Sequence, residues 1–285
     1  MGYVKIPAAT NRTVDFTTSG TWVCPSGVYS AEFLVVGAGG GGGGADNSVA
    51  TATGCGGGGG GGAVVKQTLP TTPGNSYTIT VGAKGTGGNA TAGANGGYSE
   101  IVLSGTSLLR AFGGAGGEGK DDTDTVLRAA YGSYSGGGGE AASSPSDSSI
   151  QSGGGGGAGF GVYQANSSRL SVSVSTVQGI QGSAPSLDTT SPGAVNVVGM
   201  YGIDNFGSGG NGAIADNAGA GGYQVLSMNN FGTAAIVTRT TAGATNGGSA
   251  TYYGCGGSGA ISMLSTDAAT GGDGADGLVR ITYFA

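Results

Sequence analysis

Gly37-Ala-Gly39-Gly-Gly-Gly42 satisfies G-x-G-x-x-G directly after the strand-like run Glu32-Phe-Leu-Val-Val36, the setting in which a dinucleotide-binding domain cradles a pyrophosphate. That chemistry needs a helix whose first amides face the phosphates, and an acidic residue about twenty positions further on for the ribose. Here the run leads into Ala45-Asp-Asn-Ser-Val-Ala-Thr-Ala-Thr-Gly54, then Cys55 and seven more glycines, with no helical pattern and no acid near position 57. Glycine also fills 68 of the 285 positions, so short glycine patterns arise from composition alone. No nucleotide site and no cofactor are expected.

Other constellations are equally thin. Gly271-Gly-Asp-Gly-Ala-Asp-Gly-Leu-Val279 fits the calcium nonapeptide G-G-x-G-x-D-x-U-x, but that motif works in tandem because each ion lies between successive turns. With one copy, a turn feeding a final strand is expected, rather than calcium at Asp273 and Asp276. Asp121, Asp122 and Asp124 form an acidic cluster that could meet a basic patch or an ion. Asp204, Asp216 and Asp267 would serve as glycosidase carboxylates only if folding gathered them. The chain has no histidine, which removes Ser-His-Asp and Cys-His catalysis and the commonest metal ligand. Cys24, Cys55 and Cys255 are too few and too widely spaced for a disulfide framework or a zinc site. Cys55 (TGCGGG) and Cys255 (YGCGGS) share a context compatible with proximity. The plainer reading is a small buried apolar side chain at each. The chain is therefore expected not to be an enzyme.

Composition narrows the class further. The net charge is −6 with a pI near 4.4, and no basic stripe is present, so phosphate neutralisation and nucleic-acid binding are not expected. No apolar run reaches the length of a membrane span, and MGYVKIPAAT lacks the head and apolar core of a signal peptide. Only 9% of residues are charged while 37% are apolar, the opposite of the usual disordered balance.

Two kinds of text alternate along the chain. Strand-like runs rich in Val, Ile, Thr, Tyr and Phe cover 13–18, 21–23, 29–36, 63–69, 76–81, 98–103, 107–112 and 277–284. Pro70-Thr-Thr-Pro73-Gly74-Asn75 and Ser104-Gly105-Thr106 supply the turns between neighbouring pairs. The other text is glycine: 39–44, 56–62, 136–139 and 153–157 without interruption, with looser tracts near 113–119, 207–222 and 254–259. No window has a capped helical period.

The 22 glycines of the unbroken runs would cost on the order of 10–20 kcal/mol more to order than alanines. That is comparable with the whole net stability of a domain, about 5–15 kcal/mol. Such runs must be either loose or densely hydrogen-bonded. Polyglycine offers a dense solution: a left-handed helix of polyproline-II geometry, three residues per turn, with every amide directed sideways. Lacking side chains, such helices can stack closely and bond to several neighbours, with weak Cα–H···O contacts besides. The expected fold is all-β: strands from both ends of the chain form a scaffold for a sandwich of stacked polyglycine-II helices, with essentially no α-helix.

Phe16-Thr-Thr-Ser-Gly20-Thr21-Trp22-Val-Cys-Pro25-Ser-Gly27-Val28, followed by Phe33-Leu-Val-Val36-Gly and a glycine run, resembles the opening of the glycine-rich domain of bacteriophage tail-fibre and tail-tip proteins. Pro73-Gly74-Asn75-Ser-Tyr77-Thr-Ile-Thr-Val81-Gly82 is similar to that domain's second strand pair, and Gly274-Ala-Asp-Gly277-Leu-Val-Arg-Ile-Thr-Tyr283 to its end. The resemblance implies a receptor-binding adhesin of the virion, made in the host cytoplasm. Its partners would be a host outer-membrane protein or surface glycan and other tail proteins, with homotrimerisation as one mode of assembly. A purely structural tail or decoration component is the alternative. The domain is expected over 13–285, with variable insertions near 120–135, 140–152, 160–206 and 223–253. Residues 1–12, much shorter than the attachment domain of such adhesins, form an N-terminal segment; that segment, lateral contacts or trimerisation could each serve to join the virion. Tyrosine gives stiff amphipathic contacts in recognition loops. The candidates for receptor contact are Tyr131, Tyr134, Tyr163, Tyr201, Phe206, Tyr223, Tyr252 and Tyr253, each of which would otherwise cap a glycine helix. Trp22 is expected to anchor the core.

Overall fold

The structure is a computed structural model that describes residues 10–47, 50–119, 207, 209, 237 and 241–285, and the backbone alone of strands at 142–144, 150–152, 214–216 and 238–239. Among the described residues it is all-β, with mainly antiparallel sheets and no α-helix. The strands are β1 (Asn11–Phe16), β2 (Gly20–Val23), β3 (Ser30–Val36), β4 (Thr53–Cys55), β5 (Val64–Pro70), β6 (Ser76–Thr80), β7 (Ser99–Leu103) and β8 (Thr106–Ala111). They continue as β9 (Ala142–Ser144), β10 (Ile150–Ser152), β11 (Ile214–Asp216), β12 (Thr238–Arg239), β13 (Gly243–Thr245), β14 (Ile261–Met263) and β15 (Leu278–Phe284).

The period-two alternation read from the sequence produces two facing sheets, ordered β1-β15-β3-β5 and β2-β6-β7-β8. The closing strand is inserted between the first and third, with Ile281 opposite both Val14 and Phe33. Their inner faces bury Phe33, Val35, Tyr77, Ile79, Ile101, Leu109, Val279 and Ile281. Trp22 lies among them as an anchor, its ring 5.8 Å from Phe33, 5.2 Å from Tyr77 and 5.7 Å from Tyr283. Side chains of this size each stabilise the fold by roughly 1.5–3 kcal/mol when fully buried. β1 starts at Asn11, and Thr10 and Ala285 already exchange backbone hydrogen bonds, so the expected N-terminal segment is partly scaffold.

Beyond the sandwich the same strands continue as glycine helices. β3 runs into 37–44, β6 into 82–88 and β8 into 112–119, while 56–63 enters β5, 91–97 enters β7 and 269–277 enters β15. The 37–44 helix is central. Its amides donate in rotation: Gly37, Gly40 and Gly43 to the carbonyls of Ala63, Gly60 and Gly57; Ala38, Gly41 and Gly44 to Gly97, Ala94 and Thr91; Gly39 and Gly42 to Ala275 and Gly272, all at 2.8–3.0 Å. Its carbonyls accept with the same period, Ala38 and Gly41 from Gly114 and Gly117, Gly39 and Gly42 from Gly85 and Gly88, Gly40 and Gly43 from Gly257 and Ala260. A bonding direction that returns every third residue is the signature of a threefold polyglycine-II helix.

Six helices thus surround one. Those that receive its N–H groups (56–63, 91–97, 269–277) run antiparallel to it, and those that donate to it (82–88, 112–119, 254–260) run parallel. The six also bond to one another around the ring, alternating in direction, and 246–250 adds a further segment beside 254–260 and 269–273. Glycine is required here for space rather than for unusual dihedrals. None of the glycines in 37–44, 56–62, 82–97, 113–119 or 271–277 has positive φ. A Cβ on Gly39, Gly41 or Gly42 would fall inside the carbonyls of Cys255, Thr86 and Ser258.

Several details depart from the expectations. β4, β13 and β14 are three-residue strands in small-residue text without alternation. The ranges expected as insertions at 140–152 and 223–253 contain β9, β10, β12, β13 and the 246–250 segment. Cys55 and Cys255 are not neighbours. Gly56 bonds to Ala260 and Gly62 to Gly254, so the two thiols lie at opposite ends of an antiparallel pair. Six residues at about 3.1 Å each separate them by about 19 Å. All three cysteines are buried. The glycine runs at 136–139 and 153–157 lie outside the described residues.

Candidate functional site

The glycine bundle has two ends. One is the sandwich. At the other lie the last residues of 37–44, 82–88 and 254–260, together with residue 119, and the described connections run through 45–47, 50–55, 89–90 and 261–269. The far end carries a sheet ordered β13-β14-β4-β9, beside the three-stranded sheet β10-β11-β12. Cys55, Ile261 and Met263, with Val237 and Leu264 against them, form a small apolar core of its own there.

A buried amide ties this end together. Asn47 Nδ2 donates to the carbonyls of Ala52 (3.2 Å), Ser262 (2.9 Å) and Ser265 (3.2 Å) and to Ser262 Oγ (3.0 Å). Ser262 Oγ in turn lies 3.0 Å from the Ser265 carbonyl and 2.9 Å from that of Asp267. An unpaired buried amide costs about 1–3 kcal/mol, so this network ties Asn47 and Ala52 to the 262–265 turn. The surface beyond it is Thr266, Asp267 and Ala268, all exposed.

Among the described residues, polar side chains bond to amides of the peripheral glycine helices. Asp276 Oδ1 accepts the Lys84 N–H at 2.8 Å and Asp273 Oδ1 the Gly87 N–H at 3.0 Å. Asp273 Oδ2 also pairs with Lys84 Nζ at 2.7 Å. Donors and acceptors are each three residues apart, one helical turn. Asn95 Oδ1 caps Gly116, Asn246 Oδ1 caps Thr270, and Ser258 Oγ caps Gly248 in the same manner. The hydrogen bond from Lys84, then that from Gly87, holds the Asp273 carboxyl below its ordinary range, and the same pair raises Lys84. The two aspartates of the calcium-like motif are therefore engaged with protein donors. Among the described residues no group of three or more His, Cys, Asp or Glu could hold a metal ion.

Of the aromatic candidates, Tyr131, Tyr134, Tyr163, Tyr201, Phe206 and Tyr223 lie outside the described residues, as do Asp121, Asp122, Asp124 and Asp204. Tyr252 and Tyr253 are described, and sit where 246–250 turns back into 254–260, beside the sandwich rather than at the far end. Tyr253 packs on Leu34, Val36, Val64 and Leu278, covering the outer face of the first sheet, while Tyr252 is 48% exposed. Asp267 is exposed at the far end, and Asp216 lies in β11, of which the backbone alone is described. Sequence reasoning missed an ion pair stacked on one aromatic ring at the outer face of the second sheet. Arg110 lies 4.5 Å over the Tyr98 ring and gives both Nε and Nη2 to Glu100 Oε1, at 3.0 and 2.7 Å. Nothing but the cross-strand position of Glu100 and Arg110 could have signalled it.

A glycine-rich domain family model matches residues 13–284, and the chain belongs to that family. No curated protein matches it.

Proposed function

From the resemblance of 16–28, 73–82 and 274–283 to the glycine-rich domain of bacteriophage tail proteins, we propose that this chain is a non-catalytic receptor-binding adhesin at a bacteriophage tail fibre or tail tip. The observation that carries the reading is the central helix bonded on all six sides. A core of that kind is a stiff platform, and stiff platforms with elaborated connections are how binding loops are commonly presented. The 112–119 helix ends at the far face and leads straight into the polar stretch 120–135, rich in Asp and Thr. The long stretch 160–206 is rich in Ser, Val and Tyr or Phe at intervals, a composition suited to adaptable contacts with a host outer-membrane protein or surface glycan. On this reading the chain joins other tail proteins, and its working location is the virion.

Binding of purified, fluorescently labelled protein to susceptible cells tests this. Exchanging residues 160–206 for those of a relative with another host is expected to change which strains are labelled. If exchange of every insertion leaves labelling unchanged, the chain is a structural tail or decoration component instead.

A further inference from the structure

We propose that β1 is a strand-addition edge through which two copies of this chain pair about a twofold axis centred on Thr13. The inference is independent of the adhesin reading and rests on the four edges of the sandwich. Exposed edges invite pairing, and proteins blunt them with short strands, lysine, proline or bulges. β2 is only four residues long and begins with Gly20. β5 carries exposed Lys66 and ends at Pro70, which has no amide hydrogen to offer. β8 is interrupted by a register shift opposite Ile101 and Val102. β1 has six residues, Asn11-Arg-Thr-Val-Asp-Phe16, in unbroken register with β15, and contains no lysine, proline or bulge.

The hydrogen-bond parity shows which groups β1 offers. Thr10 and Ala285 exchange both N–H···O bonds, at 2.9 and 3.1 Å. In an antiparallel ladder such pairs recur at every second residue. The even-numbered residues of β1 therefore bond to β15, and the amides and carbonyls of Asn11, Thr13 and Asp15 point out of the sheet's edge. A second β1 run antiparallel uses all three positions in one register only, with Thr13 opposite Thr13 and Asn11 opposite Asp15. That arrangement is isologous, as a twofold interface must be. It sets Arg12 opposite Val14, so no like charges face each other across the new ladder. The Asp15 charge is already matched within its own sheet by Arg280, whose Nε and Nη2 reach its carboxylate at 2.7 and 2.8 Å.

The register makes a sharp test possible. Thr13→Cys would place an exposed thiol on the axis, whereas Cys24, Cys55 and Cys255 are buried. Opposed residues of a bonded antiparallel pair lie about 5.5 Å apart, within reach of a short bis-maleimide or a disulfide. Thr13→Cys protein is expected to cross-link to a dimer, and Thr21→Cys on β2 is not. Sedimentation of the wild type should show a concentration-dependent dimer. Thr13→Pro removes an outward amide and the exposed Thr13–Thr282 hydroxyl contact but leaves the backbone β1–β15 bonds in place, and should sediment as a folded monomer. A wild type that stays monomeric, with no cross-linking of Thr13→Cys above the Thr21→Cys control, overturns the proposal. So does a dimer that survives Thr13→Pro.

Discussion

At the scale of single residues, what matters most is the absence of a Cβ. Around the central helix a methyl group would meet backbone carbonyls, which cannot swing aside as a flexible side chain can. Gly41→Ala is expected to destabilise the protein by at least about 3 kcal/mol in denaturant melts, the upper part of the usual overpacking range. Thr86→Ala, on the exposed side of an outer helix, should stay within about 0.5 kcal/mol. The capping carboxylates give a second residue-scale prediction. Asp273, through Lys84 and Gly87, and Asp15, through the hydrogen bond from Arg280, both titrate below the ordinary carboxylate range. A folded-state value lower than the unfolded one means the contribution to stability is complete above the unfolded value and vanishes as pH falls through the folded one. The melting temperature should therefore drop below about pH 4, and Asp273→Asn and Asp15→Asn should each flatten that slope. A slope unchanged in both variants would show that these pairs contribute nothing measurable.

At the scale of elements, the threefold bonding period makes phase the critical variable. In 56–63 the amides at 57, 60 and 63 serve 112–118, while those at 56, 59 and 62 serve 254–260. Inserting one glycine after Gly58 turns every later amide by a third of a turn and misdirects it, whereas inserting three restores the directions. Thermal melts should show the single insertion more damaging than the triple one. The reverse order would mean that the segment is not a threefold helix. This period also explains what could be read in advance. The eight sandwich strands and the Trp22 anchor were legible because alternation survives in the text. The helical state of 39–44 and 56–62 was legible because unbroken glycine leaves few other stable solutions. The helices at 82–88 and 91–97 were harder, since glycine there occupies chiefly the inward third positions (82, 85, 88, 93, 96) while Ala83, Lys84 and Ala92 face solvent. Read locally, that stretch is a polar loop. The spacing of three between Asp273 and Asp276 carried the same phase, hidden under a calcium-like pattern. Asn47 and Ser262, 215 residues apart, carry no local mark of their meeting.

For the whole molecule, the distinctive quantity is the nature of the buried surface. The sandwich buries hydrocarbon, but the bundle buries amides bonded to amides. Exposing apolar area on unfolding raises the heat capacity, and exposing polar area lowers it. Calorimetry should therefore give a heat-capacity change per residue below the usual 12–15 cal/mol/K or so, and a correspondingly flat stability curve. A value within the ordinary range would mean that hydrocarbon burial, rather than the bundle, governs unfolding. The same architecture fixes the ends of its helices, and so the points from which the described connections start. That rigidity is the central claim, and amide hydrogen exchange tests it most directly. The amides of residues 37–44 and of Gly56, Gly57, Gly59, Gly60 and Gly62 are expected among the slowest in the protein, opening only with global unfolding. Exchange of those glycines within seconds, while the sandwich strands stay protected, would contradict the bundle and every reading built upon it.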